Sequence, residues 1–72
     1  MNSRKLNKQE EATLYKWLCR HHNNTQAFIM LKANNYRITK EGWVYYGKLS
    51  SPDWCKHIDT IIEELEGGAV EG

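Results

Sequence analysis

The sequence has no apolar run approaching the roughly 20 residues that a membrane-spanning helix needs. Positive charge in residues 1–7 is not followed by an apolar segment, so no signal peptide is indicated. There are only two cysteines, and without an export signal they are typical of free thiols in a reducing compartment. These absences predict a soluble cytoplasmic protein with no membrane partner.

No residue set typical of catalysis is present either. The five glycines belong to the predicted hairpin and tail, so no glycine-rich phosphate loop exists. Cys19 with His22, or Cys55 with Asp59, has the spacing of a nucleophile and its partner on a helix, but nothing supplies an oxyanion hole or a pocket. The sequence therefore predicts a protein that is not an enzyme and that binds no cofactor.

Cysteine and histidine occur in two short clusters that invite a zinc interpretation. If Cys55 and His57 lie on a helix, residues two apart point in opposite directions and cannot hold one ion. Cys19 and His22 have a suitable spacing, but the second pair that a tetrahedral site requires is missing. We expect no metal site, with both cysteines as small buried hydrophobes and His21 facing the core.

Charge divides unequally between the two halves of the chain. Residues 1–40 carry eight basic side chains against two acidic ones, whereas residues 41–72 carry two against seven. The formal net charge of +1 therefore hides a dipolar chain. Such asymmetry is typical of electrostatic recognition of a charged partner.

At 72 residues the chain predicts one α+β domain with the element order α-α-β-β-α. We assign residues 7–67 to the compact domain, residues 1–6 to a flexible basic N-terminus and residues 68–72 to a flexible tail. In the first helix, Asn7 has the position of a cap with Glu10 three residues later. Leu14, Trp17, Leu18 and His21 then follow the spacing of one buried stripe.

The remaining elements follow from apolar pattern and turn residues. A second helix over about residues 25–34 is apolar almost all round. Two segments rich in β-branched and aromatic residues, 36–39 and 43–46, flank a turn containing Gly42 and predict a β-hairpin. Ser51 as cap, Pro52 at the first helical position and the Gly67–Gly68 stop predict an amphipathic C-terminal helix.

Exposed anchors and an acidic helix face favour a protein-binding function. The spare side of the second helix, the aromatic hairpin and the acidic face of the last helix predict a partner-binding set: Ile29, Met30, Trp43, Tyr45, Tyr46, Asp59, Glu63 and Glu66. The hypothesis is a small regulatory or inhibitory protein of phage or mobile-element type. Its partner would be a host protein of transcription, recombination or defence, and the protein itself would be a monomer or weak homodimer.

A DNA-binding regulator is the alternative, because basic residues surround the hairpin aromatics. The phosphate contacts would come from Lys16, Arg20, Arg37, Lys40 and Lys48 on double-stranded DNA. Two helices followed by a β-hairpin also resemble a small winged helix of the kind found in phage excisionases. Against this alternative, the second helix offers few polar side chains for reading base edges, and the acidic last helix would repel DNA.

Overall fold

The computed structural model describes residues 3–67, which form an antiparallel sheet with helices packed against it. The strands are β1 Ser3–Lys5, β2 Arg37–Thr39, β3 Trp43–Lys48 and β4 Ser51–His57; the helices are α1 Lys8–His21, α2 Asn24–Ala33 and α3 Ile58–Leu65. The predicted α+β class is confirmed. The tail predicted for residues 68–72 lies outside the described residues.

The first helix begins where the sequence predicts. The Asn7 side chain accepts a hydrogen bond from the Glu10 backbone N–H (2.8 Å), and the Glu10 carboxylate accepts one from the Asn7 N–H (2.9 Å). This reciprocal pair satisfies two helix donors that would otherwise have no intrahelical partner. Leu14 and Leu18 are buried as predicted, but His21 is exposed and lies beside the Trp17 ring, 4.2 Å between ring centroids.

The second helix is covered on one side only. Asn23 caps it through the Gln26 N–H, and Ala27 is the residue that it buries completely in the core. Asn35, with φ of 51°, adopts the left-handed conformation that Asn tolerates better than most residues, and the chain turns there toward β2.

The predicted hairpin is confirmed as β2–β3, but it occupies the middle of the sheet. Strand order is β1-β2-β3-β4, and every neighbouring pair is antiparallel. The wing of a winged helix projects with free edges, whereas both strands of this hairpin have a further neighbour. Ser3–Lys5, which we expected in the flexible N-terminus, form the edge strand β1 beside β2.

The predicted start of the C-terminal helix at Ser51 is wrong. Residues Ser51–His57 form β4, and the helix begins at Ile58. Pro52 is compatible with this strand because β4 is an edge of the sheet, where a missing N–H breaks no ladder. Pairing along β3 also places Trp54 against Tyr46 and Tyr36, with ring centroids 6.4 and 5.6 Å away.

One face of the sheet is packed against the helices and the other is not. The core cluster comprises Leu14, Leu18, Ala27, Tyr36, Ile38, Val44 and Ile61. Because strand side chains alternate, Arg37, Thr39, Trp43, Tyr45, Cys55 and His57 point to the opposite face. Within residues 3–67 no helix covers this outer face.

Three contacts of Glu64 and its neighbours hold α3 in place. The Trp17 Nε1–H donates to Glu64 Oε1 at 2.6 Å, and Lys56 Nζ lies 3.2 Å from Glu64 Oε2. Arg20 Nη1 donates to the backbone carbonyl of Glu64 at 3.1 Å, close to the negative end of the α3 dipole. Hydrogen bonding to Trp17, followed by the contact with Lys56, lowers the pKa of the Glu64 carboxyl below its ordinary value.

No helix within residues 3–67 has both the length and the apolar content that crossing a membrane would require.

Candidate partner-binding surface

Trp43 is the most distinctive exposed side chain on the outer face of the sheet. The turn before it is closed by two hydrogen bonds to Thr39: its carbonyl accepts from the Gly42 N–H and its Oγ1 accepts from the Trp43 N–H, both at 3.0 Å. Gly42 has φ of 103°, a conformation that favours glycine. The next residue, Val44, is buried in the core, so Trp43 points away from it and remains 46% exposed.

His57 fixes the position of the Trp43 ring from the neighbouring strand. The two residues are paired in register, and their rings meet edge to face at 4.8 Å and 84°. The imidazole is itself held on both nitrogens: Nε2 lies 2.9 Å from the Glu41 carbonyl and Nδ1 accepts from the Asp59 N–H at 3.1 Å. The Asp59 carboxylate also lies near the ring, with Oδ2 3.8 Å from Nδ1, so contacts at both nitrogens fix the orientation of the imidazole.

The absence of a side chain at position 42 makes this arrangement possible. A Cβ at Gly42 would lie 3.0 Å from the His57 ring and 3.3 Å from the Ile58 side chain. The Ile58 N–H also donates to the Gly42 carbonyl at 2.8 Å, which ties the start of α3 to the hairpin turn. The tryptophan, the histidine and the first turn of α3 therefore form one connected unit.

An acidic stripe continues from this unit along the exposed side of α3. Asp59, Glu63 and Glu66 are all exposed and are spaced i, i+4 and i+7, so they share one helix face. Ile62, 37% exposed, lies beside them on the same side. We define the Trp43 surface as Trp43, His57, Asp59, Ile62, Glu63 and Glu66.

The structure brings together only part of the predicted partner-binding set. Trp43, Asp59, Glu63 and Glu66 contribute to one surface, and Ile29 is exposed on α2. Met30 and Tyr46 pack against the core, and Tyr45 is only 3% exposed. Tyr45 lies on the outer face, where its hydroxyl donates to Ser3 Oγ at 2.8 Å in the unpredicted strand β1.

Sequence reasoning missed two members of the Trp43 surface, His57 and Ile62. The helical interpretation of residues 51–57 directed His57 away from the hairpin, whereas the strand places it directly beside Trp43. Ile62 is an apolar residue of an amphipathic helix, a type expected in the core, but it remains partly exposed in the structure. No apolar alternation of period 2 marks residues 51–57, because Lys56 occupies the inward position two residues after Trp54, so the strand is defined by its pairing with β3.

A second exposed apolar region lies on the helices. Phe28, 54% exposed, lines a shallow groove of about 320 Å³ between α1 and α2 with Tyr15 and Leu31. Lys32 Nζ lies over the Phe28 ring, 5.6 Å from its centroid. This groove shares no residue with the Trp43 surface.

The five bases of the DNA-binding alternative do not form one patch. Lys48 is the last residue of β3, whereas Lys40 lies in the turn before the first residue of that strand. Arg20 binds the C-terminal end of α3, and Arg37 donates to the Ser3 carbonyl at 3.1 Å and to its Oγ at 3.2 Å. Lys16 is exposed on α1. Two of the five are therefore engaged in holding elements together.

Cysteine placement differs from the prediction. Cys55 is exposed rather than buried, and Cys19 is half-buried on α1. Because residues 51–57 form a strand, Cys55 and His57 point to the same face, so the geometric argument that separated them was wrong. Over residues 3–67, no three His, Cys, Asp or Glu side chains are grouped so that they could hold a metal ion.

Comparisons of the chain with protein-family models, with curated proteins and with solved structures give no match.

Proposed function

We propose that this protein is a non-enzymatic regulatory or inhibitory module that docks its Trp43 surface on a basic face of a nucleic-acid-handling protein. The observation that carries the proposal is a half-exposed tryptophan, held by His57, at the start of an acidic helix face. An exposed apolar anchor beside charged residues is the usual composition of a protein-binding hot spot and its rim.

The anchor can supply a useful part of the binding free energy. A tryptophan side chain offers about 150–250 Å² of surface, so covering its exposed part removes roughly 70–120 Å² from water. At about 25 cal/mol per Å² this contributes about 2–3 kcal/mol. Because His57 already restrains the ring, little rotamer entropy is lost on binding.

The acidic stripe orients a basic partner and raises the rate of association. Asp59, Glu63 and Glu66 present a formal charge of −3 on one exposed helix face. A basic partner is attracted to such a face before contact, which raises the association rate and makes it fall with added salt. Proteins that bind nucleic acid carry basic grooves, and this complementarity is the reason for the proposed partner class.

The same proposal includes a location in the cytoplasm and an origin in a phage or mobile element. Cys19 and Cys55 are both free thiols, as in a protein of the reducing cytoplasm. A short chain that masks a basic groove of a transcription, recombination or defence protein is the kind of regulator that phages and mobile elements make. We propose that it acts as a monomer or weak homodimer.

A capture experiment with matched variants tests the proposal. Tagged wild-type protein, W43A and F28A are used to capture material from nuclease-treated and untreated lysate; both variants remove an exposed aromatic ring. We expect a basic protein to be retained by wild type and F28A in both lysates. W43A should bind it roughly 30-fold or more weakly, in line with the loss of a hot-spot contact of about 2 kcal/mol.

Two double variants with the same change in net charge test the contribution of the acidic stripe to binding. E63Q/E66Q and the control Q9K/Q26K each raise the formal net charge by two, but only the first changes the Trp43 surface. We expect slower association for E63Q/E66Q alone. Equal binding by W43A and wild type would contradict the proposal, and so would captured protein that disappears after nuclease treatment, a result that would favour the DNA-binding alternative.

A further inference from the structure

The exposed side of α2 carries a mainly apolar row of residues, which we call the α2 stripe. Its members are spaced i, i+3, i+4, i+7 and i+8, so they share one helix face: Thr25, Phe28, Ile29, Lys32 and Ala33. All five are exposed, and Phe28 and Ile29 at the centre remain 54% and 51% exposed. The helix therefore has apolar side chains that the core of its own domain does not cover.

The apolar surface continues from α2 onto α1. The groove of about 320 Å³ beside Phe28 has apolar lining residues from both helices: Ala12, Tyr15 and Leu31. Lys8 and Glu11, which carry opposite charges, also line it. Adjacent exposed apolar side chains bordered by polar ones are typical of a protein interface.

The α2 stripe offers little charge for the recognition of a charged partner. Lys32 is its one charged residue, and the ammonium lies over the Phe28 ring, 5.6 Å from the centroid. No acidic residue occurs in α2. The whole chain has a formal net charge of +1, so two copies repel each other only weakly. A second copy, which brings the same apolar residues, is the partner that fits.

Two α2 stripes are complementary when the helices run antiparallel. About a two-fold axis between Phe28 and Ile29, Phe28 of one copy faces Ile29 of the other, and Lys32 faces Thr25. A parallel pair would instead place Lys32 against Lys32 and align the helix dipoles unfavourably. We propose that the protein forms a homodimer through antiparallel packing of two α2 stripes. This selects the homodimer from the two assembly states given above, and it does not depend on the Trp43 surface.

The size of the stripe predicts a weak dimer. The exposed part of Phe28 is roughly 80–135 Å². A standard interface buries about 800 Å² per partner, and α2 has only ten residues with which to approach that area. We expect a dissociation constant on the order of 0.1–1 mM, as for small and transient interfaces.

Sedimentation equilibrium and NMR dilution test the dimer at concentrations from below to above this dissociation constant. A reducing agent is present because the exposed Cys55 could otherwise form an intermolecular disulfide. We expect the average mass to rise toward twice that of the monomer, with the dilution-dependent amide shifts concentrated at residues 25, 28, 29 and 32. A monomer at every concentration would overturn the proposal and leave the stripe to a different protein. Shifts centred elsewhere would also overturn it.

Two aliphatic substitutions test whether the stripe forms the contact. I29A and L49A each shorten an exposed aliphatic side chain, but only Ile29 belongs to the α2 stripe. Both copies lose the side chain, so we expect I29A to weaken self-association at least about tenfold and L49A to leave it unchanged. Equal effects of the two substitutions would overturn the proposal.

A gain of affinity tests the antiparallel orientation. T25E and Q26E each add one negative charge to the first turn of α2, and both residues are exposed, but Gln26 lies off the stripe. In the antiparallel pair a carboxylate at position 25 faces Lys32 of the other copy twice. We expect T25E to tighten self-association about threefold or more at low salt, and Q26E to leave it unchanged. Weaker association of T25E, or equal tightening by Q26E, would contradict the antiparallel arrangement.

Discussion

Sequence reasoning predicts the exposure of some aromatic residues in the hairpin and misses that of others. Strand alternation predicts that about half of the hairpin aromatics cover the core, and Tyr46 does so while Trp43 does not. The alternation of side chains along the strand does not explain why Tyr45 is buried. Its hydroxyl donates to Ser3 Oγ, and Arg37, its register partner in β2, donates to the same oxygen. Ser3 belongs to a three-residue strand with no readable pattern.

Gly47 is the residue whose replacement should be most damaging within the sheet. It has φ of 98° at the irregularity between β3 and β4, and a Cβ there would lie 2.7 Å from the Asp53 backbone nitrogen. We expect G47A to lower the free energy of unfolding by more than about 1 kcal/mol, from backbone strain and the clash together. Urea denaturation measures this loss.

The control for G47A is S50A, in the turn that connects β3 to β4. Ser50 is exposed, and φ there is not positive, so its replacement should change stability by less than about 0.5 kcal/mol. Equal effects of the two substitutions would show that the strain argument is mistaken.

Among the elements, α1, α2 and the hairpin were predictable because their signals are local. A cap, a 3.6-residue period or a glycine turn lies within the segment that it shapes. The segment Ser51–His57 has the local signals of a helix start, but pairing with β3 and the contacts of Trp54 with Tyr36 and Trp17 decide its conformation. Those partners lie elsewhere in the chain, so the segment alone does not reveal them.

The attachment of α3 to α1 and β4 should depend on the charge of Glu64. Its carboxylate accepts from Trp17 and pairs with Lys56, and these contacts lower its pKa in the folded protein. A lowered folded pKa means that the stabilisation is present above the ordinary glutamate pKa and is lost as pH falls through the folded value. E64Q should therefore melt at a lower temperature than wild type above about pH 5.

Thermal melting as a function of pH checks this dependence. The difference between wild type and E64Q should shrink as the pH falls through the lowered pKa of Glu64 in the folded protein, where the wild-type carboxyl becomes protonated. E63Q is the matched control, because Glu63 is exposed and one residue away. A pH-independent difference for E64Q, or an equal effect of E63Q, would show that the Glu64 charge does not hold α3.

On the scale of the whole molecule, the fold places some of the basic and acidic side chains next to each other, so the charge separation along the sequence is only partly kept in the structure. Arg4 pairs with Glu10 at 2.8 Å, Lys56 pairs with Glu64, and Arg20 covers the C-terminal end of α3. The exposed remainder is uneven: an acidic stripe lies on α3, whereas the exposed residues Lys5 in β1 and Lys32 in α2 belong to the basic half of the chain. Sequence showed the excess of each sign, but the fold decides which charges remain free.

Site-specific photocrosslinking tests the central claim most directly. A benzophenone side chain is introduced at Glu63 on the Trp43 surface and, as the control, at Ala12 on α1, which is also exposed. After nuclease treatment, we predict a crosslink from position 63 to a basic, nucleic-acid-handling protein, lost when W43A is added, and none from position 12. No adduct at position 63, or equal adducts at both positions, would contradict the account.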